Sequence, residues 1–357
     1  IFEVVAICNS LNIKIIINRL ILFIGFGVLI HIIFVLSTTE RALLLYLNKL
    51  SIFHIILIMF LMFIPWLGYA LRIKMWSTFL GEKIKFTESI KIVVTSELAS
   101  ALSPTAVGGA PVKAALLLNK GFNPGNVGFM LTWGIIEDII FYVSGIILAL
   151  YFSKNLVVGI LGSTAEFIAN HQIIFLSAFI TLLTFFILSK YKILPERFKI
   201  LHYLPEHYKQ KVYSWREKFK HSISEMRINF NKALAHGKFR MITGFTILLI
   251  QWFSKFSVLA VLLYAFDIDF DVIQVYIRQW VVYVTMLFIP TPGASGGAEA
   301  SFLLIFGKSI PSDISFLIVS LWRFFTYYYL LIAAVCIYST ISFTQKIENE
   351  IEIETKG

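Results

Sequence analysis

Residues 15–35, 52–73, 127–151, 173–189, 242–264 and 314–341 form six uninterrupted apolar stretches. At 1.5 Å of helical rise per residue, each reaches the length needed to cross a hydrocarbon core of roughly 30 Å. No water is available there to satisfy backbone N–H and C=O groups, so a crossing segment must satisfy them internally, as a helix does. The stretches recur from one end of the chain to the other. With 58% hydrophobic and 15% charged residues and a mean hydropathy of +0.81, the chain exceeds the roughly 45–50% apolar content of soluble domains. The expectation is an all-α, polytopic membrane protein forming one membrane domain over residues 1–357, with no soluble catalytic domain left over. The first stretch is too long and too lightly flanked for a cleaved signal peptide and reads as the first span.

Two further apolar segments are interrupted. Residues 90–118 break at 103–111, and residues 273–306 break at 290–297; both breaks are rich in Pro and Gly. The flanking pieces, about 17 and 9 residues or roughly 25 and 14 Å, are too short to cross separately and predict two re-entrant helical hairpins. Positive charge favours the cytoplasmic side. Lys74, Lys83 and Lys85 after the second span and the basic stretch 190–240 after the fourth fall on that side only if the first hairpin returns to its side of entry. The acidic loop Asp267-Ile268-Asp269-Phe270-Asp271 then lies outside. Six full spans and two hairpins thus predict halves of opposite orientation, about 12–151 and 172–343, with both termini and a tail at 344–357 cytoplasmic. Such inverted repeats recur in transporters. At an offset of 188, Pro104 matches Pro292, Gly108-Gly109-Ala110 matches Gly296-Gly297-Ala298, and Lys120 matches Lys308.

The net charge of +10 is local: residues 190–240 carry 13 Lys/Arg against 4 Glu. A nucleic-acid partner is therefore not indicated. Within that stretch Val212, Trp215, Phe219, Ile223, Met226, Phe230 and Leu234 recur at spacings of three or four, which predicts an amphipathic helix. It can lie in the headgroup layer, cover the bundle, or do both. Trp66 and Trp76 read as interfacial anchors and His31 as an interfacial residue near a span end. Cys8 and Cys336 are isolated, no metal-ligand spacing occurs, and no P-loop, nucleophile elbow, zinc-protease or dinucleotide motif is present, so no metal or cofactor is expected.

Candidate site residues cluster at the breaks. Gly108, Gly109, Gly296 and Gly297 allow close backbone approach, and the helices that follow direct positive N-terminal dipoles toward the bilayer centre, where an anion such as a lipid phosphate is a natural ligand. Ionisable residues within membrane segments are costly and point to function. Arg278 and Arg323 suit bidentate phosphate binding, Lys113 and Lys255 add positive charge, and Glu97, Glu137, Asp138 and Glu299 can take a cationic headgroup, a proton or a coupling ion. Each has a structural alternative: Glu299 can stabilise a helix N-terminus, Lys255 can snorkel, and Glu137 or Asp138 can pair with an Arg.

Leu71-Arg72-Ile73-Lys74-Met75-Trp76, residues 103–111 with the following helix, and residues 290–302 with their Pro-Gly and Gly-Gly-Ala-Glu pattern resemble the lysylphosphatidylglycerol synthase transmembrane family. That family includes the membrane half of the multiple peptide resistance factor and many stand-alone proteins. The matched positions are Arg72, Trp76, Pro104, Gly108, Gly109, Pro292, Gly293, Gly296, Gly297 and Glu299. The resemblance implies a domain that moves a phospholipid, such as aminoacylated phosphatidylglycerol, or a polyprenyl-phosphate lipid between leaflets of the cell membrane. Membrane lipids, anionic phospholipid or lipid phosphate, are then the partners, and a homo-oligomer is compatible with the sequence. Only a short tail follows the sixth span, so no synthase activity is expected of this chain and it is read as a carrier rather than an enzyme. The competing readings are a membrane enzyme or glycosyltransferase accessory acting on a lipid-linked substrate, and a membrane scaffold.

Overall fold

The computed structural model describes residues 45–103, 108–152, 206–289, 291, 293–337 and 340. The predicted first and fourth spans, the tail 344–357, His31, Pro104, Pro290 and Pro292 lie outside the described residues. Among the described residues all regular structure is helical. The helices are α1 (Ile52–Phe79), α2 (Phe86–Leu102), α3 (Gly109–Asn119), α4 (Pro124–Phe152), α5 (Glu206–His236), α6 (Lys238–Ala265), α7 (Val272–Met286), α8 (Gly297–Phe306) and α9 (Ser315–Arg323). Helix α9 runs on through a π-helical segment, Phe324–Tyr328, to Ile337. Among the described residues four helices are long and apolar enough to cross a membrane: α1, α4, α6 and Ser315–Ile337. They coincide with four of the six predicted spans.

The order long helix, two short helices, long helix occurs twice, as α1–α2–α3–α4 and α6–α7–α8–α9. In each set the two short helices pack on one another. Their ends follow local chemistry: Ser51 caps α1 by accepting from the His54 backbone N–H, and Asp271 caps α7 by accepting from Ile273 and Gln274, each cap satisfying otherwise orphaned donors.

The first helices of the two sets, α1 and α6, form the most extensive interface, and Pro65 organises it. A proline inside a helix leaves the carbonyl four residues earlier without its donor. Here that carbonyl is Leu61 O, and Ser254 Oγ of α6 donates to it. One turn along, Gln251 Nε2 donates to Pro65 O at 2.6 Å, and Gly68 leaves the room Gln251 needs, since a Cβ there would lie 2.6 Å from its side chain. The defect in α1 is thereby turned into interhelical bonding.

Two large apolar clusters result. One joins α6, α7, α8 and α9 with Ile58 and Met62 of α1. The other joins α1 to α4 with Leu331 and Ala334 from the end of the last span. Between them Phe141, Trp252, Phe256 and Trp280 tie α4 to α6 and α7, with Phe141 stacked on Trp252 at 5.0 Å.

One expectation is corrected, and a second is refined. Trp66 and Trp76 are buried rather than set at an interface; Trp76 packs edge-on against Phe129 and Trp133, because α4 and α5 cover that end of α1. The predicted amphipathic helix exists as α5, but its apolar stripe divides. Met226 and Phe230, with Ala233, pack on α4 and α1, whereas Phe219, Ile223 and Leu234 remain exposed.

Candidate functional site

Two cavities lie beside the Pro/Gly breaks. The first, of about 220 Å³, sits where the two helix sets meet, lined by Glu97, Tyr142, Lys255, Tyr283, Gly293 and Arg323 among others. The second, of about 190 Å³, lies within the first set, lined among others by Tyr69, Arg72, Ser96, Lys113, Glu137 and Asp138. Glu97 and Ser100 line both. One face of α2 therefore separates, and joins, the two spaces.

The second cavity is built on local spacing. Ser96 and Ser100 are one helical turn apart on α2, and α3 begins against them: a Cβ at Gly109 would lie 2.0 Å from Ser100 Oγ and 2.8 Å from Ser96 O. Only glycine permits that approach. Gly108 N–H donates to Ser103 Oγ at 2.7 Å, which in turn donates to Ser100 O. Opposite, Arg72 of α1 forms a buried ion pair with Glu137 of α4 and donates to Gln251 Oε1 at 3.4 Å. Arg72 and Lys113 both lie over the Tyr69 ring, at 5.5 and 5.4 Å. Buried polar atoms without a hydrogen-bond partner among the described residues gather here: Arg72 Nε, the Trp76 indole N–H and Asp138 Oδ1. A lining with orphaned donors, the Lys113 ammonium and an orphaned carboxylate oxygen suits a polar ligand with an anionic part, because each orphaned group costs energy until it is bonded.

In the first cavity the second break is held by Arg323, which is 2% exposed. Its guanidinium donates to Gly293 O, its Nε lies 3.0 Å from Glu299 Oε1, and it sits 4.3 Å over the Tyr327 ring. Gly293 and Gly296 take left-handed backbone conformations, φ +59° and +81°, which glycine adopts without strain. Tyr327 belongs to the π-helical segment, a distortion that recurs at functional sites. Its ring abuts Gly293 of the second break, and its hydroxyl donates to Ala101 O at the edge of the first, at 3.0 Å. This one side chain bridges both breaks.

The sequence candidates divide accordingly. Gly109, Lys113, Glu137 and Asp138 line the second cavity, Arg323 lines the first, and Glu97 lines both. Gly108 supports the first break. Gly296 and Gly297 shape the second, where a Cβ on Gly297 would meet Ile289 at 2.4 Å, and Glu299 is bound to Arg323. Arg278 is not brought to Arg323: it lines neither cavity and donates to Ser309 Oγ beyond α8. Its place on the α7 face turned to the α8–α9 connection sets it apart from Arg323. Arg72, named from the sequence only as a motif position, and Trp76, read there as an interfacial anchor, both line the second cavity. Tyr69, Trp133, Tyr142 and Tyr327 carried a readable signal, each sitting three or four residues from an ionisable residue: Arg72, Glu137, Asp138 and Arg323.

Residues 19–334 match the family described as the lysylphosphatidylglycerol synthase TM region. The chain belongs to this family. A further relative is a UPF0104 membrane protein of Archaeoglobus fulgidus, 28% identical over 272 residues that cover 74% of this chain and 79% of the relative. The matched span of this lysylphosphatidylglycerol synthase TM region contains both breaks, both cavities and the bridge at Tyr327.

Proposed function

We propose that this protein moves a phospholipid or polyprenyl-phosphate lipid between leaflets, its headgroup passing through the two cavities while the acyl or prenyl chains stay in the surrounding bilayer. The observation that carries this reading is the sharing of Glu97 and Ser100 by both cavities, which gives a polar headgroup a stepwise route past α2. Phosphate oxygens would be held by Lys255 and Arg323 in the first cavity and by Lys113 and Arg72 in the second. Glu97 and Asp138 offset the cations and accept a proton or a cationic headgroup part. In this reading α2–α3 and α7–α8 are re-entrant hairpins, the two sets have opposite orientation, and the protein sits in the cell membrane with the basic helix on the cytoplasmic side. It acts as a carrier and leaves the lipid covalently unchanged.

The test is leaflet-resolved flipping of a fluorescent anionic phospholipid in reconstituted liposomes. Lys255→Gln and Lys113→Gln should each slow flipping at least about tenfold, the kinetic equivalent of losing one charge-assisted hydrogen bond of about 1.5 kcal/mol or more. Arg278→Gln should leave it near the parent rate. Parent-like flipping by both lysine variants, or mass-spectrometric detection of chemically altered lipid, would overturn the reading.

A further inference from the structure

Helix α5 presents two faces with different fates. At 3.6 residues per turn, Ser222, Glu225, Met226, Asn229, Phe230 and Ala233 share one side, and that side is docked. Asn123 Nδ2 donates to Glu225 Oε1 at 3.0 Å, Asn229 Nδ2 donates to Asn126 Oδ1 at 2.7 Å, and Thr132 Oγ1 donates to Met226 Sδ at 3.8 Å. A Cβ at Gly125 would lie 2.4 Å from Glu225, so the α5 and α4 backbones meet closely. The helix is clamped to the corner between α3 and α4.

Among the described residues the adjoining side is unpartnered. Arg216, Phe219, Lys220, Ile223, Arg227 and Leu234 fall within an arc of about 100°, and Phe219, Ile223 and Leu234 are 63%, 46% and 57% exposed. Arg216 and Arg227 make no ion pair or hydrogen bond among the described residues, and Lys220 reaches only the exposed Glu217. After Gly237 the apolar exposure continues along α6 at Phe239, Ile242, Ile250 and Phe253, the outward side of a helix long enough to cross the bilayer. A helix face on which large apolar side chains alternate with Arg and Lys, continuous with a lipid-facing surface, has the chemistry of the boundary between acyl chains and anionic headgroups. A soluble acidic protein would match the charges but not this continuity with α6.

We propose that this face of α5 is a docking surface for the anionic lipid of the adjoining leaflet, with Phe219, Ile223 and Leu234 inserted below the headgroups and Arg216, Lys220 and Arg227 bound to their phosphates. The inference does not depend on lipid transport. It concerns a surface whose residues line neither cavity, and it holds or fails whether or not the protein flips lipid. Because the docked side is bonded to the corner between α3 and α4, anionic lipid would fix the depth of that corner and of the α3 arm leading to the second cavity.

The experiment places a fluorophore on Ile223→Cys, and separately on Ser224→Cys, in the full chain with Cys8→Ser and Cys336→Ser. Each protein is reconstituted in nanodiscs of phosphatidylcholine, or of phosphatidylcholine with phosphatidylglycerol, doped with lipid carrying a nitroxide just below the headgroup. The Ile223→Cys label should be quenched several-fold more than the Ser224→Cys label, and more strongly with phosphatidylglycerol present. Each basic residue held at an anionic surface favours seating by about fivefold, so Arg216→Gln/Lys220→Gln/Arg227→Gln should shift the seated population by about a hundredfold and return quenching to the phosphatidylcholine level. These substitutions spare the docked side. Salt at about 1 M, where charges are screened within about 3 Å, should produce the same loss without substitution. Equal quenching of the two labels, or quenching indifferent to both phosphatidylglycerol and salt, would overturn the proposal; a soluble partner or a second copy on this face would give that result.

Discussion

The Arg72–Glu137 pair joins two long helices at the edge of the second cavity, and its burial makes its removal measurable. The two residues are 6% and 2% exposed. Charges held there have lost their hydration, and removing one partner leaves the other uncompensated, at about 3–5 kcal/mol. Glu137→Gln should fall at the lower end, because Arg72 keeps Gln251 Oε1 at 3.4 Å and the Tyr69 ring at 5.5 Å; about 3 kcal/mol is a factor of about 150 in the unfolding equilibrium. Arg72→Met should fall at the upper end, since the buried Glu137 carboxylate would lose the guanidinium that its Oε2 accepts from. In Arg72→Met/Glu137→Leu no buried charge is stranded, so most of either loss should be recovered, as when other buried ion pairs are replaced by apolar groups of similar volume. Reversible unfolding in mixed detergent micelles measures all three against the parent. If the double variant were as unstable as the sum of the singles, or if Glu137→Gln changed stability by less than about 0.5 kcal/mol, the reasoning from burial would be refuted.

Gly293→Ala and Gly296→Ala should separate backbone strain from overlap. Both residues have left-handed backbones, costing about 1–2 kcal/mol for alanine, but a Cβ at Gly296 meets nothing within 4 Å whereas one at Gly293 lies 2.3 Å from the Tyr327 ring. Gly293→Ala should therefore cost a further 1–3 kcal/mol or so, read as the difference between the two in the same unfolding assay. Ser254→Ala should cost about 1–3 kcal/mol by stranding Leu61 O; adding Pro65→Ala, which returns a helical N–H to that carbonyl, should recover much of it. Lys120, through its hydrogen bond, and then the Lys85 backbone N–H hold the Glu88 carboxyl below its usual range. A depressed folded pKa contributes stability that is complete above the unfolded value of about 4.3 and is lost as pH falls through the folded value. Parent stability should therefore decline slightly more below about pH 4.3 than that of Glu88→Gln, by less than about 1 kcal/mol for so exposed a pair. A difference of the same size at pH 7 and pH 3 would contradict the assignment.

Much of the fold was legible because membrane insertion is decided by contiguous composition. A run such as 52–73 or 242–264 meets hydrocarbon as a single stretch, and its backbone is satisfied within the run, so its span follows without reference to the rest of the chain. The pairs of short helices were legible for the same reason, since Pro and Gly at 103–111 and 290–297 interrupt helices locally. The amphipathic period of α5 was also visible, but not which part of its stripe would be covered, because Met226 and Phe219 are alike to a periodicity argument and only the position of α4 distinguishes them.

Residue type likewise proposed Arg278 and Arg323 as equals. Packing separated them, setting one against Ser309 and the other between Gly293, Glu299 and Tyr327. By itself the sequence determined that this protein is helical, membrane-embedded and broken at two Pro/Gly sites, since those properties belong to segments of about twenty residues and their solvent. Only the tertiary structure decided that Arg72 meets Glu137 across 65 residues and that Tyr327 reaches Ala101 across 226. Such bonds depend on how separate helices rotate and approach one another, which the composition of neither helix contains.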